Sequence, residues 1–370
     1  MSYVSPMKRT LLSLTGLILI LNLSSCLKPD AIFSGDRMAN VSFVDVLETG
    51  AYARDVFVAG NSIFVAASQA GNQIWQEQEG AMVKVFEPTF DSNPLDDDPA
   101  LRITVDPVSR LMFTFDKSGG HYKKLNANFD GFDSVYVTGD CIGSDENDGV
   151  FGSGGNEDFI AKQLNDSLVA VYVIDKTSND GFKQYFFNRR LSEPNIFGCE
   201  GGYYYWEANN VGSPTYGHNL GMDMKDTLIA ISHDEIGVGL YRLDVVDLDT
   251  LAVVNTPGET IEVKFYENYL LCANNWAGMG IFSLGQGDSS LTHLADIEVD
   301  GWVKQISLWN NMAILSCGEN GIFLVNLSDP ENPIVDQPID AGYTYRTFVS
   351  GDMIYAATRE GVKRYHIESR

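Results

Sequence analysis

Basic residues are scarce in this chain. Lys and Arg together number 25 against 50 Asp and Glu, giving a formal net charge of −25. A body this acidic repels phosphate backbones, which argues against a nucleic-acid partner. Cysteine is also sparse, and none of the five sits in the CxxC spacing of a zinc or redox site. The five histidines (His121, His218, His233, His293 and His366) are scattered without metal-ligand spacing. GxSxG, HExxH and P-loop signatures are all missing, so the enzyme classes that announce themselves by local motif find no support. After the first 25 residues no apolar run is long enough to span a bilayer.

Glycine and aromatics are plentiful, with 35 Gly, 17 Tyr and 20 Phe, a mixture suited to strands joined by tight turns. The N-terminus reads as an export signal. Lys8 and Arg9 precede an apolar stretch from Leu11 to Leu21, too short for a comfortable membrane span. Leu23-Ser24-Ser25-Cys26 then resembles the lipobox of bacterial lipoproteins. That resemblance implies cleavage before Cys26, lipidation of its sulfur and a membrane anchor. Residues 1–25 are the expected signal peptide, 26–40 the lipidated cysteine and tether, and 41–370 the folded body. Leu27, rather than Asp, follows the cysteine, which in the sorting scheme of such lipoproteins implies the outer membrane of a bacterial envelope. Cys141 and Cys199 lie in Gly-rich loop sequence and could pair, whereas Cys272 and Cys317 lie in apolar strand sequence and are expected as buried thiols.

The body repeats itself. Segments 218–243, 259–284, 302–327 and 343–367 each read as strand, polar turn, strand and a Gly-led third strand. The last apolar residues before the first turn are Met224, Phe265, Leu308 and Val349, spaced 41, 43 and 41 residues apart. Segments 52–67, 101–115 and 160–175 are shorter copies, with insertions expected at about 68–80, 118–158 and 176–216. Segment 134–143 is read as the outer strand of the second unit. Three or four strands cannot bury both faces of their own sheet, and radial repetition solves this by packing each sheet on the next. The expected fold is therefore an all-β, seven-bladed β-propeller. Its last unit lacks an outer strand, and "VSFVDVLETG" (41–50) has no blade of its own. Pairing of 41–47 with 362–367 would close the ring and bury Phe43 and Val46.

The stretch "GIFLVNLSDPENPIVDQPIDAGYTYRTFVSGDMIYAATREGVKRYHI" (321–367) resembles the LVIVD repeat of bacterial surface and secreted propellers. The likeness extends over 217–320, and before residue 200 only 50–67 carries it. It implies fold and cell-surface or envelope location rather than an activity.

Aligning the units on their first turn places Tyr52, His218, Glu259, Trp302 and Tyr343 at one position. Asp55, Gly221, Glu262, Gln305 and Arg346 fall three residues on. These first strands should be innermost, so their entry ends should ring a channel mouth. There Tyr52, Asp55, His218, Glu262, Trp302, Tyr343 and Arg346 would either bind a glycan or protein partner or fill the axis and satisfy one another. The expected function is a lipid-anchored binding or scaffold module. The alternative is a glycan-acting hydrolase or lyase using mouth carboxylates. Asp145, Asn147 and Asp148 in an acidic, Gly-rich loop offer Ca²⁺-type oxygen ligands without EF-hand spacing, so the loop is either a weak cation site or simply solvated. "SHDE" (232–235) is either a ligand cluster or a polar turn. Tyr203, Tyr204, Tyr205 and Trp206 form either an exposed contact or a strand of unit three.

Overall fold

A blade begins with a strand that alternates, a turn that forces a left-handed residue, and a second strand that is apolar throughout. In the sixth unit Gln305–Trp309 turns at Asn310 (φ 49°) into Met312–Ser316, which is buried at all five positions. A continuous apolar run suits a strand covered on both faces. Ile322–Asn326 and Ile334–Ile339 complete this antiparallel sheet. The computed structural model describes residues 37–88, 99–117, 119–133, 149–151, 156–176, 181–190, 203–209, 216–244 and 247–370.

Seven such sheets form, each led by one inner strand: Asp55–Ala59, Arg102–Asp106, Asn156–Asn165, Met222–Lys225, Glu262–Tyr266, Gln305–Trp309 and Thr344–Ser350. Each inner strand contacts the next, and the seventh contacts the first, so the ring is closed. The fold is a seven-bladed β-propeller. Apolar clusters fill the spaces between blades; Trp309, Ile314 and Leu324 of blade six, for example, pack on Ile354, Ala356 and Tyr365 of blade seven. Burying each such side chain is worth about 1.5–3 kcal/mol. Backbone stitches join neighbouring blades. Val303 N–H donates to the Asn275 carbonyl at 2.9 Å, Thr344 N–H to Gly318 at 2.9 Å and, across the closure, Ala53 N–H to Thr358 at 3.0 Å.

The closure is an antiparallel pairing of Ala39–Leu47 with Gly361–Ser369, in which Val41 faces Ile367 and Leu47 faces Val362. The N-terminal strand thus supplies the outer strand of blade seven. It occupies the place a covalent outer strand has elsewhere. A Cβ on Gly361 would lie 2.1 Å from the Leu47 carbonyl oxygen, and one on Gly321 in blade six 2.4 Å from that of Ile339. Both glycines have positive φ, so neither position accepts a side chain.

Burial along the closing strand differs from expectation. Phe43 is 58 % exposed, touching Tyr365 edge-on, and Val46 is only half-buried, while Ala39 and Leu47 are the buried residues. A bulge at Val44 is the reason. It lets Ala39 and Val41 pack toward blade six while Leu47, after the bulge, packs toward blade one.

The expected insertions also prove to carry blade strands. Asn72–Gln78 is the third strand of blade one, so 68–80 is no insertion. Gly120–Leu125 and Gly149–Phe151 lie within 118–158, and Phe182–Arg190 and Tyr203–Asn209 within 176–216. The long stretches of sequence between these strands hid their regular spacing. The outer side of blade two is formed by Phe132–Asp133 and Gly149–Phe151, both paired to Gly120–Leu125; segment 134–143 lies outside the described residues. The Tyr203–Trp206 run belongs to the outermost strand of blade three.

Candidate functional site: the axial ring and the entry mouth

The inner strands bring one layer of polar side chains to the axis. Blade one supplies Asp55, blade two Arg102, blade three Asp158, blade five Glu262, blade six Gln305 and blade seven Arg346. Blade four supplies no side chain at this level. A Cβ on Gly221 would fall 2.6 Å from the Ile261 carbonyl, because the backbones of blades four and five converge there. Ser232 Oγ donates within that junction and accepts from Gly221 N–H at 2.8 Å.

Each inner strand is an edge strand with unpaired amides, and the polar layer serves them. Asp55 accepts from Ile103 N–H at 3.1 Å, Asp158 from Met222 N–H at 3.1 Å and Gln305 Oε1 from Thr347 N–H at 2.8 Å. Every one of these bonds reaches from one blade to the next. Ion pairs add a second set of links: Arg102 to Asp158 at 3.1 Å, Arg346 to Glu262 at 2.7 Å and to Asp55 at 3.3 Å, and Lys264 to Asp223 at 3.0 Å. Burial pushes the Asp55 carboxyl up to about 6, against the opposing pull of Arg102. Burial likewise holds Asp158 and Glu262 above the usual carboxylate range.

This layer divides the axis. On the entry side lies a cavity of about 710 Å³, and on the exit side one of about 350 Å³, with Arg346 lining both. Six cations line the larger one, Arg54, Arg102, Lys117, Lys304, Arg346 and Arg359, against two carboxylates, Asp116 and Glu157. Both acids are engaged, Asp116 by His121 at 2.9 Å and Glu157 by Lys176 at 3.5 Å. Aromatic rings interleave with the cations. Arg54 lies 4.3 Å over Tyr345, and Arg359 lies 3.8 Å over Tyr343. Tyr343 and Tyr345 are 4.7 Å apart, Tyr52 stands 6.4 Å from Tyr345, and Lys304 lies 5.5 Å from Trp302.

The chain resembles solved structures in shape alone. No family model matches it, and no curated protein matches its sequence. Among solved structures it is similar to the computationally designed Ika8 protein, with a TM-score of 0.57 and 7 % identity over 88 % of this chain and 98 % of that one. It is also similar to a chain of the mitotic checkpoint complex, with a TM-score of 0.57 and 10 % identity over 92 % and 97 %. Identities this low carry the fold and nothing finer.

Of the residues expected at the mouth, Asp55, Glu262 and Arg346 meet in the axial layer. Tyr343 lines the entry cavity, with Tyr52 and Trp302 exposed beside Tyr345 and Lys304 respectively. His218 does not line the cavity; it is exposed and 3.7 Å from Asp234. His233 of the SHDE motif is wholly buried. Its Nδ1 bonds Asn219 Oδ1 at 2.9 Å and its Nε2 bonds Tyr241 Oη at 2.6 Å, so it is a packing residue behind a polar turn. Asp145, Asn147, Asp148, Cys26, Cys141 and Cys199 lie outside the described residues. Among the described residues no three metal-ligating side chains converge.

Arg54, Arg102, Asp158, Lys304, Tyr345 and Arg359 were missed from sequence. A usable signal existed for three of them. Tyr52-x-Arg54, Trp302-x-Lys304 and Tyr343-x-Tyr345 share the i, i+2 spacing that puts two side chains on one side of an extended segment. Asp158 follows a register shift between Asn156 and Asp158, which broke the alignment.

Proposed function

We propose that the chain is a lipid-anchored propeller of the bacterial envelope, with repeats of the LVIVD type, that binds a glycan or protein partner at its entry-side mouth. The carrying observation is the lining of that mouth: cations and aromatics gathered on one opening of a strongly acidic protein. A cavity of this size falls within the range of ligand sites. The lipobox-like sequence at Cys26 supports the anchor, and Leu27 after it supports the outer membrane. Changing Cys26 to Ser should release the protein from the membrane fraction, because the acyl chains are the tether. Retention of the Ser variant on membranes after a high-salt wash would refute the anchor. A glycan array and an envelope pull-down with residues 37–370 test the binding role. Loss of the captured ligand on Tyr343→Ala supports it, and capture indifferent to every mouth substitution refutes it.

A glycan-acting hydrolase or lyase is the second reading, favoured by one observation. Carboxylates with raised proton affinity border a cavity, as catalytic acids do. Against it, Glu262 is committed to Arg346 and to the Ile306 amide, the arrangement of an axial plug. Glycan turnover abolished by Glu262→Gln, in a variant of unchanged melting temperature, would establish this reading instead.

A further inference from the structure

The entry mouth has more positive charge than it uses. Arg102 is paired with Asp158, and Arg346 with Asp55 and Glu262. The two carboxylates of the lining are engaged by His121 and Lys176. Among the described residues Arg54, Lys304 and Arg359 form no ion pair with a carboxylate. Burial and the nearby Arg54 charge both lower the proton affinity of Lys304. Glu259 acts on Lys304 only from beyond ion-pair distance, and like charges gathered with no carboxylate in contact, in a chain with twice as many acids as bases, call for a ligand that neutralises them.

Geometry says which kind. Arg54 and Arg359 lie with their guanidinium carbons over the faces of Tyr345 and Tyr343. A guanidinium stacked on a ring still presents N–H edge to the opening, although Arg359 spends part of its edge on a hydrogen bond to Tyr345; the edge that remains matches the oxygens of a carboxylate or sulfate. The stack also fixes both arginines before the ligand arrives, so little side-chain entropy is left to lose. Around them Tyr52 is 49 % exposed and Trp302 58 % exposed. An exposed aromatic face stacks on the C–H face of a sugar ring. An extended peptide would need backbone partners, and inner-strand amides bordering the axis are already taken by Asp55, Asp158 and Gln305.

The geometry points to an acidic saccharide as the ligand of the entry mouth, with a uronate-type carboxylate held by Arg54, Arg359 and Lys304 and its ring resting on the aromatic rim. This rests on the proposed binding role of the mouth and narrows it to one ligand class.

Calorimetric titration of the soluble body (37–370) separates the outcomes. The probes are a trigalacturonate, the same trisaccharide with its carboxylates methyl-esterified, and a hexaglutamate peptide. The expected result is binding of the trigalacturonate at least tenfold tighter than of its ester, weakening as salt is raised. Arg359→Gln and Arg54→Gln should each reduce binding at least tenfold at unchanged melting temperature. Equal binding of acid and ester, lost in Tyr343→Ala, would overturn the anionic class yet leave the mouth as a glycan site. Tighter binding of hexaglutamate than of the uronide would overturn the saccharide. Failure of all three probes, with an array ligand insensitive to Tyr343→Ala, would overturn both the inference and the binding role of the mouth.

Discussion

Arg346 Nη1 lies 2.7 Å from Glu262 Oε2, linking blade seven to blade five past the intervening blade six, while its Nε lies 3.3 Å from Asp55 of blade one. One guanidinium therefore pairs with two carboxylates from two other blades. Arg346→Met should cost about 3–5 kcal/mol, the usual penalty for orphaning buried charge. Thermal unfolding should show the loss to be larger at pH 8 than at pH 5, where the carboxylates can take up protons instead. A loss independent of pH would mean that packing, not charge, accounts for the role of Arg346.

Asp55 sets a second pH dependence. Its folded-state value, pushed up to about 6, exceeds the ordinary value of 3.8, so the folded protein binds the proton more tightly. Its contribution is fully present below about pH 4 and is lost as pH rises through 6. Comparison of wild type with Asp55→Asn by denaturant unfolding should show the wild type losing on the order of 3 kcal/mol relative to the variant across that window.

His233 works in the opposite sense. Burial lowers it from 6.5 to about 4. The neutral ring held by Asn219 and Tyr241 stabilises the fold above pH 6.5, and that contribution is lost as pH falls toward 4. His233→Gln should lower stability at pH 7.5 and flatten the decline between pH 6.5 and 4, worth about 3 kcal/mol in the wild type. Unchanged acid sensitivity in the variant would place the titrating group elsewhere.

Closure of the ring is testable by length. A chain starting at residue 50 lacks Ala39 and Leu47, both buried, and the ion pair of Asp45 with Arg364. Its melting temperature should fall clearly, whereas a chain starting at residue 37 should match the full body. Gly361→Ala should mimic the longer truncation, because its methyl group would meet the Leu47 carbonyl.

Cys272 and Cys317 are buried, and burial raises both thiols above their ordinary range. Neither should react with iodoacetamide in the native protein, and both should react in denaturant, as read by peptide mass spectrometry.

The later blades were legible because their turns are short and their spacing regular. Asp226, Glu267 and Asn310 take left-handed turn positions at nearly constant intervals, and the apolar strands between them fall in register with one another. The closing strand could be read because a single unpaired outer strand at one end matched a vacancy at the other. The early blades were not legible in the same detail. Their strands are separated by stretches of unequal length in the sequence, so Arg102 and Asp158 lost their register with Asp55 and Glu262. The unit alignment pointed to Asp55, Glu262 and Arg346, but it could not tell that they meet one another rather than a ligand. That depends on how far each side chain reaches across the axis. The basic mouth was hidden for a different reason: overall charge is a sum, and a few cations from distant parts of the chain vanish in it.

The pairing of Ala39–Leu47 with Gly361–Ser369 also imposes an order of events on a chain being made. The first strand of the ring to be synthesised is partnered by the last, so Ala39–Leu47 stays without its partner until every other blade has been made. Pairings this distant in sequence are slow to form, and the waiting strand edge is open to other chains meanwhile. Completion of the ring is therefore a checkpoint. A product that stops before Gly361 forfeits its final strand and, with it, the partner of its first.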